Sequence, residues 1–335
     1  MPRENQHYVP QFLLRNFCAE GQCHVFDKST CKEFRTNPRN IMGEADYNVV
    51  RLKGNFYLDF ESKFTHVENL AKPVLESIIA NETVSALSPM DLATLCCFVV
   101  VQHLRSKSSR QSYSGIFQDV KLRFPDLKTN DIPEHFSDEE YEKFCLLKMN
   151  LDKLDEIAGH LTTKKLILLK KCCAGELYIS DNALVMHNYN DFGPYGNIGL
   201  GVPGIEIYLP ISSDLVLGFL CPTIIDGFHK ERAKAEQKIS EIQLKVFVDG
   251  ALPLQSGVSV ILDAKERLEQ AKMKIAMLVD SQYAPKSKDI LIFLNALQIQ
   301  WANRFIAARR KDFSFAHKVM KEKPHWREHP RIEVA

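Results

Sequence analysis

The sequence predicts an α+β protein, predominantly helical, with one mainly antiparallel sheet (residues about 164–221) packed against helices. Five β-rich runs, KKLILLKKC, GELYISDN, ALVMHNY, GIEIYLPIS and LVLGFLC, fall between Lys164 and Cys221. Short Gly, Asn, Asp or Ser links separate them, which suits antiparallel pairing better than βαβ units. On both sides of this block, apolar residues recur at helical spacing.

The elements follow in order. Residues 1–60 read as extended and irregular chain. CHVFD (Cys23 to Asp27) is a strand, and Glu20-Gly21-Gln22 supplies a turn, so Phe17 to Asp27 reads as a hairpin. Tyr47 to Leu52 is a second strand candidate. From Phe60, apolar Phe64, Val67, Ala71, Val74, Leu75 and Ile78 mark a helix, which Pro73 is expected to kink or divide. Ser88 and Pro89 start the next helix as N-cap and first helical residue. It reads as one long helix through LATLCCFVVVQHLRSKSSRQSY, apolar all round in its first half and so buried. Ser137 and Glu140 have capping-box spacing and open a helix that runs to about Gly159, with a break near Asn150. Three more helices follow the sheet: Gly227 to about Leu244, Asp263 to Ser281, and Lys286 to about Arg310.

The chain has 335 residues, 45% hydrophobic and 25% charged, enough to bury a core without metal or disulfide staples. We read residues 1–320 as one α+β domain and 321–335 as a basic tail. The net charge of +1 gives no global field toward nucleic acid. Locally, Arg304 to Ala335 carries nine Lys/Arg against four Asp/Glu, which allows a nucleic-acid contact or a plain solvated tail. An odd count of nine cysteines, with adjacent pairs at Cys96-Cys97 and Cys172-Cys173, argues for buried thiols in a reducing compartment. Cys18, Cys23 and Cys31, with His24, fit zinc-ligand spacing only loosely. The start of the chain is charged and lacks a signal-peptide apolar core. Leu92 to Val101, the longest largely apolar stretch, is half of the ~20 residues a membrane span needs. The expectation is a cytoplasmic protein with no membrane partner. GPYGNIGLGVPG, in the loop Asn188 to Gly204, imitates a phosphate-binding glycine motif but lacks G-x4-G-K-[ST] and a following helix.

An ordered set of short motifs resembles the domain of unknown function 4238 family. HYVPQFLLRNF (His7 to Phe17) resembles its His-Tyr-x-Pro-x-Phe signature with a following Asn-Phe. Glu61 and Glu68 resemble the spaced glutamates of its first helix. Gln102, Arg105 and Arg110 resemble its Gln-x-x-Arg helix, and LYISDNALV its strand ending in Ser-Asp. IYLPIS and LNALQIQWANRFI resemble its later strand and last helix. Where that family often has proline after Ser-Asp-x, this chain has Ala183. The resemblance implies no activity, so function rests on chemistry.

Several separated segments set polar residues within apolar ones. His7 is either a base near neutral pH or a structural donor. Gln11 and Arg15 share a helix face behind it. Glu61 and Glu68, two turns apart, share another, and Glu68 is the preferred functional carboxylate. Gln102 and Arg105 leave a buried helix together and need partners, either a carboxylate such as Glu68 or Asp181, or a phosphate. Asp181, at a strand end, is a ligand or orienting group, favoured over Ser180 as a nucleophile; the bland reading is a Ser/Asp turn.

The expected catalytic set is therefore His7, Glu68, Arg105 and Asp181, with Gln11, Gln102, Arg110 and Ser180 binding substrate. His or Glu would activate water, Arg would hold an anion, and Asp would orient the base or ligate a divalent metal. This chemistry suits a hydrolase of a phosphate-containing substrate, a nuclease or nucleotide-processing enzyme with nucleic acid or nucleotide as partner. A bacterial toxin or defence effector is one setting for it. The alternatives are a non-enzymatic ligand-binding or interaction module, and a buried hydrogen-bond network that only joins helices to sheet. Neither a metal nor an oligomeric state follows from the sequence.

Overall fold

A strand pair, β1 (Asn5–His7) with β4 (Gly43–Ala45), holds the start of the chain in the computed structural model, which describes residues 5–123, 133–188, 190, 192, 198–249, 256–283 and 288–327. Between them lie a short helix, α1 (Gln11–Arg15), and the hairpin β2 (Cys23–Asp27) with β3 (Lys32–Thr36). β5 (Val49–Arg51) then pairs with β6 (Tyr57–Asp59). The turn predicted at Glu20-Gly21 is present, with both residues at positive φ and Ala19 bridged to Gln22. Its first arm is the end of α1, not a strand, so β2 pairs with β3 and not within Phe17 to Asp27.

α2 (Glu61–Asn81) is continuous. Pro73 does not divide it; Pro73 and Asn69 lie on the exposed face, where water can take the place of the hydrogen bond a proline forgoes. α3 (Pro89–Leu104) begins with the full capping box between Ser88 and Asp91. The single helix expected onward from it is two: α3 stops at Arg105 and α4 (Lys107–Arg123) starts anew. Ser106 makes the break, because its hydroxyl donates to the His103 carbonyl (2.9 Å) and accepts from the Ser109 amide (3.1 Å). α5 (Asp138–Asp152) and α6 (Leu154–Thr162) follow, divided at Lys153.

All five strands expected in the 164–221 block form: β7 (Lys165–Lys170), β8 (Ile179–Ser180), β9 (Val185–Asn188), β10 (Ile205–Pro210) and β11 (Leu215–Leu220). Two long helices, α7 (Pro222–Asp249) and α8 (Ser256–Asp280), pack along each other and lead to β12 (Gln282–Tyr283). α9 (Asp289–Trp301), β13 (Phe305–Ala308) and α10 (Ser314–Glu322) complete the described chain. The helix expected to reach Arg310 therefore ends at Trp301 and a strand takes its place.

The block is not one sheet. The main sheet runs β12-β7-β11-β10-β9, antiparallel except where β12 joins β7. β8 leaves it for a second sheet, β3-β2-β13-β8. The cause is local. On one side the amides of Tyr178 and Ser180 donate to Asn295 and Gln298 of α9 (2.9 and 2.8 Å), and β13 takes the other. The main hydrophobic core sits where α1, α2, α3 and α6 meet the main sheet. A smaller core of Val50, Phe64, Val101, Phe136 and Leu147 lies where α2 and α3 meet α5. Residues 124–132, most of the Gly-rich loop and 328–335 of the basic tail lie outside the described residues.

Candidate functional site

The expected residues separate into two groups. His7, Gln11, Glu68, Gln102, Arg105 and Arg110 come together at the junction of β1, α2, α3 and α4. Ser180 and Asp181 are committed elsewhere, against α9 and β13.

Arg105 is the centre of the first group. The break after α3 makes it that helix's C-cap, yet it is only 1% exposed. A buried guanidinium needs an anionic partner, and Glu68 on α2 pairs with it. Gln102, one turn earlier, accepts from the same guanidinium (3.2 Å). His7 ends β1 and is also buried. Burial holds its pKa below the ordinary value, aided by the Arg105 charge and opposed by Glu68 and by the Pro38 and Arg39 carbonyls. The imidazole is therefore neutral at pH 7. Gln11 reaches His7 Nδ1 at 3.4 Å and accepts from Arg15 at the same distance. Across the β1–β4 pair His7 faces Gly43, where a Cβ would come within 3.1 Å of the ring and 3.0 Å of the Gln6 carbonyl. A glycine there leaves room for the ring beside the strand.

The cluster extends beyond the expected residues. Arg110 donates to the Tyr47 carbonyl (2.6 Å), lies 3.4 Å over the Tyr47 ring and bonds the Asn48 side chain. Asn48, fully buried, donates to Glu61 (2.6 Å), and its amide donates to Gln6 (2.6 Å). Burial pushes the Glu61 carboxyl up, against its bond to Asn48 and the charge of Arg105. It raises the Tyr47 phenol to about 12. Sequence reading left out Gln6, Tyr47 and Asn48. Their signal was position alone: Gln6 adjoins His7, and Tyr47-Asn48 opens a predicted strand.

Seven buried side-chain nitrogen and oxygen atoms among the described residues have no hydrogen-bond partner, and five belong to this cluster: His7 Nε2, Tyr47 Oη, Gln102 Nε2, Arg105 Nε and Arg110 Nε. Buried polar atoms are ordinarily paired, since each orphan costs about 1–3 kcal/mol. Three of the five can only donate, and the other two can donate. An internal network that merely joined elements would pair its own donors, whereas this one presents an excess. Two of its members, Gln6 and Glu61, also line a cleft of about 720 Å³ with Phe56 and Tyr57, whereas His7, Gln102, Arg105 and Arg110 do not reach it.

Asp181 is fully engaged as an acceptor. It takes the amides of Asn303 (2.7 Å), Arg304 (2.7 Å) and Phe305 (2.9 Å) and so fixes the turn into β13. Burial pushes its carboxyl up, against those three bonds and the charge of Lys28. The Ser180 hydroxyl lies 2.7 Å from Gln298 Oε1 and 2.9 Å from the Asn182 carbonyl, which ties it to α9 and the following turn. Among the described residues, no hydrogen bond joins either one to His7, Glu68 or Arg105. Asn295 and Gln298 are likewise spent on the backbone at Glu176 and Ala183 (2.8 and 2.9 Å).

Among the described residues, no group of three His, Cys, Asp or Glu side chains is placed to hold a metal ion, and Cys18, Cys23, Cys31 and His24 do not form one. The basic C-terminal stretch is neutralised in part: Arg304 pairs with Asp27, Arg310 with Glu176, and Lys311 and His317 with Glu33. No helix among the described residues is long and apolar enough to cross a membrane.

The fold and the cluster thus define an α+β protein with a buried, donor-rich polar site at the meeting of its N-terminal strand and three helices. The chain belongs to the DUF4238 family, described as a protein of unknown function, whose model matches residues 5–312. No curated protein matches it, and no solved structure does.

Proposed function

We propose that the His7–Gln102–Arg105–Arg110 cluster recognises a phosphate group and that the protein is a hydrolase of a phosphate-containing substrate, a nucleotide rather than a nucleic-acid strand. The observation that carries this reading is the set of five unpaired buried polar atoms: Tyr47 Oη, Gln102 Nε2, Arg105 Nε and Arg110 Nε can donate to an anion, and His7 Nε2 is left for the base. Arg105 Nε, Gln102 Nε2 and Arg110 Nε would hold phosphate oxygens. His7, neutral, is the base that would take a proton from attacking water in the tautomer that carries its proton on Nδ1 and leaves the unpaired Nε2 as an acceptor. Glu61, held high by burial, is the carboxyl suited to return one. Glu68 is a positioning residue, which orients Arg105 through their ion pair. A nucleotide is favoured over a polymer because the cleft beside the cluster is of small-molecule size and Arg304, Arg310 and Lys311 of the C-terminal stretch are already paired with carboxylates. A cytoplasmic protein fits such a substrate.

The second reading, a non-enzymatic module that binds a small anion, is favoured by the burial of Arg105. One experiment separates them. Inorganic phosphate is titrated calorimetrically into the wild type, His7→Ala and Arg105→Lys, and turnover is measured on nucleoside di- and triphosphates and single-stranded RNA. The hydrolase reading expects nucleotide turnover that His7→Ala abolishes while phosphate binding survives. Phosphate binding without turnover leaves the binding module. Neither binding nor turnover in a folded wild type refutes both.

A further inference from the structure

We propose that Cys18 and Cys23 are a redox pair that closes reversibly into a disulfide with a peroxide as oxidant, tying the end of α1 to β2. The placement follows from the turn between them. Glu20 and Gly21 have φ of 54° and 70°, the conformation of a two-residue type I′ turn. Ala19 and Gln22 exchange both backbone hydrogen bonds across it, at 2.8 and 3.0 Å. Cys18 and Cys23 directly flank that bridged pair, and residues facing each other in this position have Cα atoms about 4.5 Å apart. That separation lies within the roughly 4.4–6.8 Å range that a disulfide spans. The two thiols act on each other, which raises Cys18 and lowers Cys23, so Cys18 keeps its proton, donated to the Leu14 carbonyl, and Cys23 gains thiolate character. Cys18 is partly exposed and Cys23 buried, so an oxidant reaches the pair from the Cys18 side.

The chemistry balances. A thiolate of the pair attacks one peroxide oxygen, the O–O bond breaks, and a sulfenic acid forms as hydroxide leaves and takes a proton. The second sulfur attacks the sulfenic sulfur, the S–O bond breaks, and a second water leaves. Two thiols and one hydrogen peroxide give one disulfide and two waters. A reversible pair of this kind belongs in a reducing compartment, where disulfides are transient and sensing. Oxidation also removes the proton that Cys18 donates to the Leu14 carbonyl in the last turn of α1 (3.3 Å). The helix that carries Gln11 beside His7 is thereby anchored through sulfur instead.

The test uses the full chain. Trypsin cuts after Arg15 and Lys28, so both cysteines fall in one peptide, Asn16 to Lys28, which holds no third. The protein is treated with a small excess of hydrogen peroxide, alkylated without reduction, digested and weighed. The expected result is that this peptide loses two hydrogens and takes no alkyl group, and that dithiothreitol restores two alkylation sites. Cys18→Ser, isosteric and partly exposed, should keep the fold and abolish the oxidised species. Sulfinic acid at Cys18 with Cys23 still alkylatable, or oxidation of the exposed Cys172 with the 16–28 peptide unchanged, overturns the proposal.

Discussion

Removing the carboxylate from Glu68 should damage this protein more than removing the guanidinium from Arg105. The Arg105 side chain has no exposure and that of Glu68 retains 18%. Glu68→Leu leaves a buried cation with only Gln102 as a polar partner. Breaking a buried pair in this way costs about 3–5 kcal/mol, and the residual access of water at Glu68 sets the lower end, about 3 kcal/mol. Arg105→Met leaves a carboxylate that can turn toward solvent, so a loss near the lower end of about 1.5–3 kcal/mol is expected, the cost of one lost charged hydrogen bond. The double variant, Glu68→Leu with Arg105→Met, leaves no unpaired charge and should recover most of the loss, since an apolar replacement of a buried pair is often near neutral. Urea denaturation of the four proteins gives the coupling energy. A Glu68→Leu loss below about 0.5 kcal/mol, or strictly additive single losses, would refute the picture of a desolvated pair.

Two further outcomes follow from the same physical chemistry. Burial holds His7 below its ordinary pKa and draws His103 down to about 4, whereas both titrate near 6.5 in an unfolded chain. Between about pH 6.5 and pH 4 the unfolded state binds more protons; stability is unaffected above that window and falls as the pH drops through it. Urea midpoints across this range should show the fall and a shallower one in His103→Asn; an unchanged slope contradicts it. Asp181→Asn sets an amide against amides that a carboxylate now accepts, leaving at least one donor unpaired at about 1–3 kcal/mol each. It should therefore lower thermal stability and leave phosphate binding intact, and an Asp181→Asn protein of wild-type stability would return Asp181 to the functional candidates.

The helices were legible wherever a cap or an apolar stripe marked them, as at Ser88 and from Phe64 to Ile78. The break at Ser106 was legible too, in a serine followed three residues later by another, but the apolar momentum of α3 outweighed it. Tertiary partners were not. β8 carries the same β-rich composition as its neighbours, and only amide acceptors on α9, more than a hundred residues later, draw it into another sheet. The turn into β13 depends on Asp181 in the same way, so the stretch from Lys286 read as one helix to about Arg310. For the cluster, His7, Gln11, Glu68, Gln102, Arg105 and Arg110 were found because each stands out as polar in an apolar setting. Ser180 and Asp181 stand out for the same reason, but their hydrogen bonds belong to a turn. Isolation in sequence marks a residue that needs a partner, and not which partner it finds.

β13 has a consequence for biosynthesis. It joins β2 and β8 near the other end of the chain, with Phe305 paired to Asp27. A ribosome adding about 5–20 residues per second needs roughly 14–56 s to pass from one to the other. Throughout that interval the inner edge of the β2–β3 hairpin has no neighbour, and the nascent amino-terminal segment exposes an unsatisfied row of amides and carbonyls. Chaperone occupancy during translation should therefore peak late and drop only once residues past Ala308 have emerged.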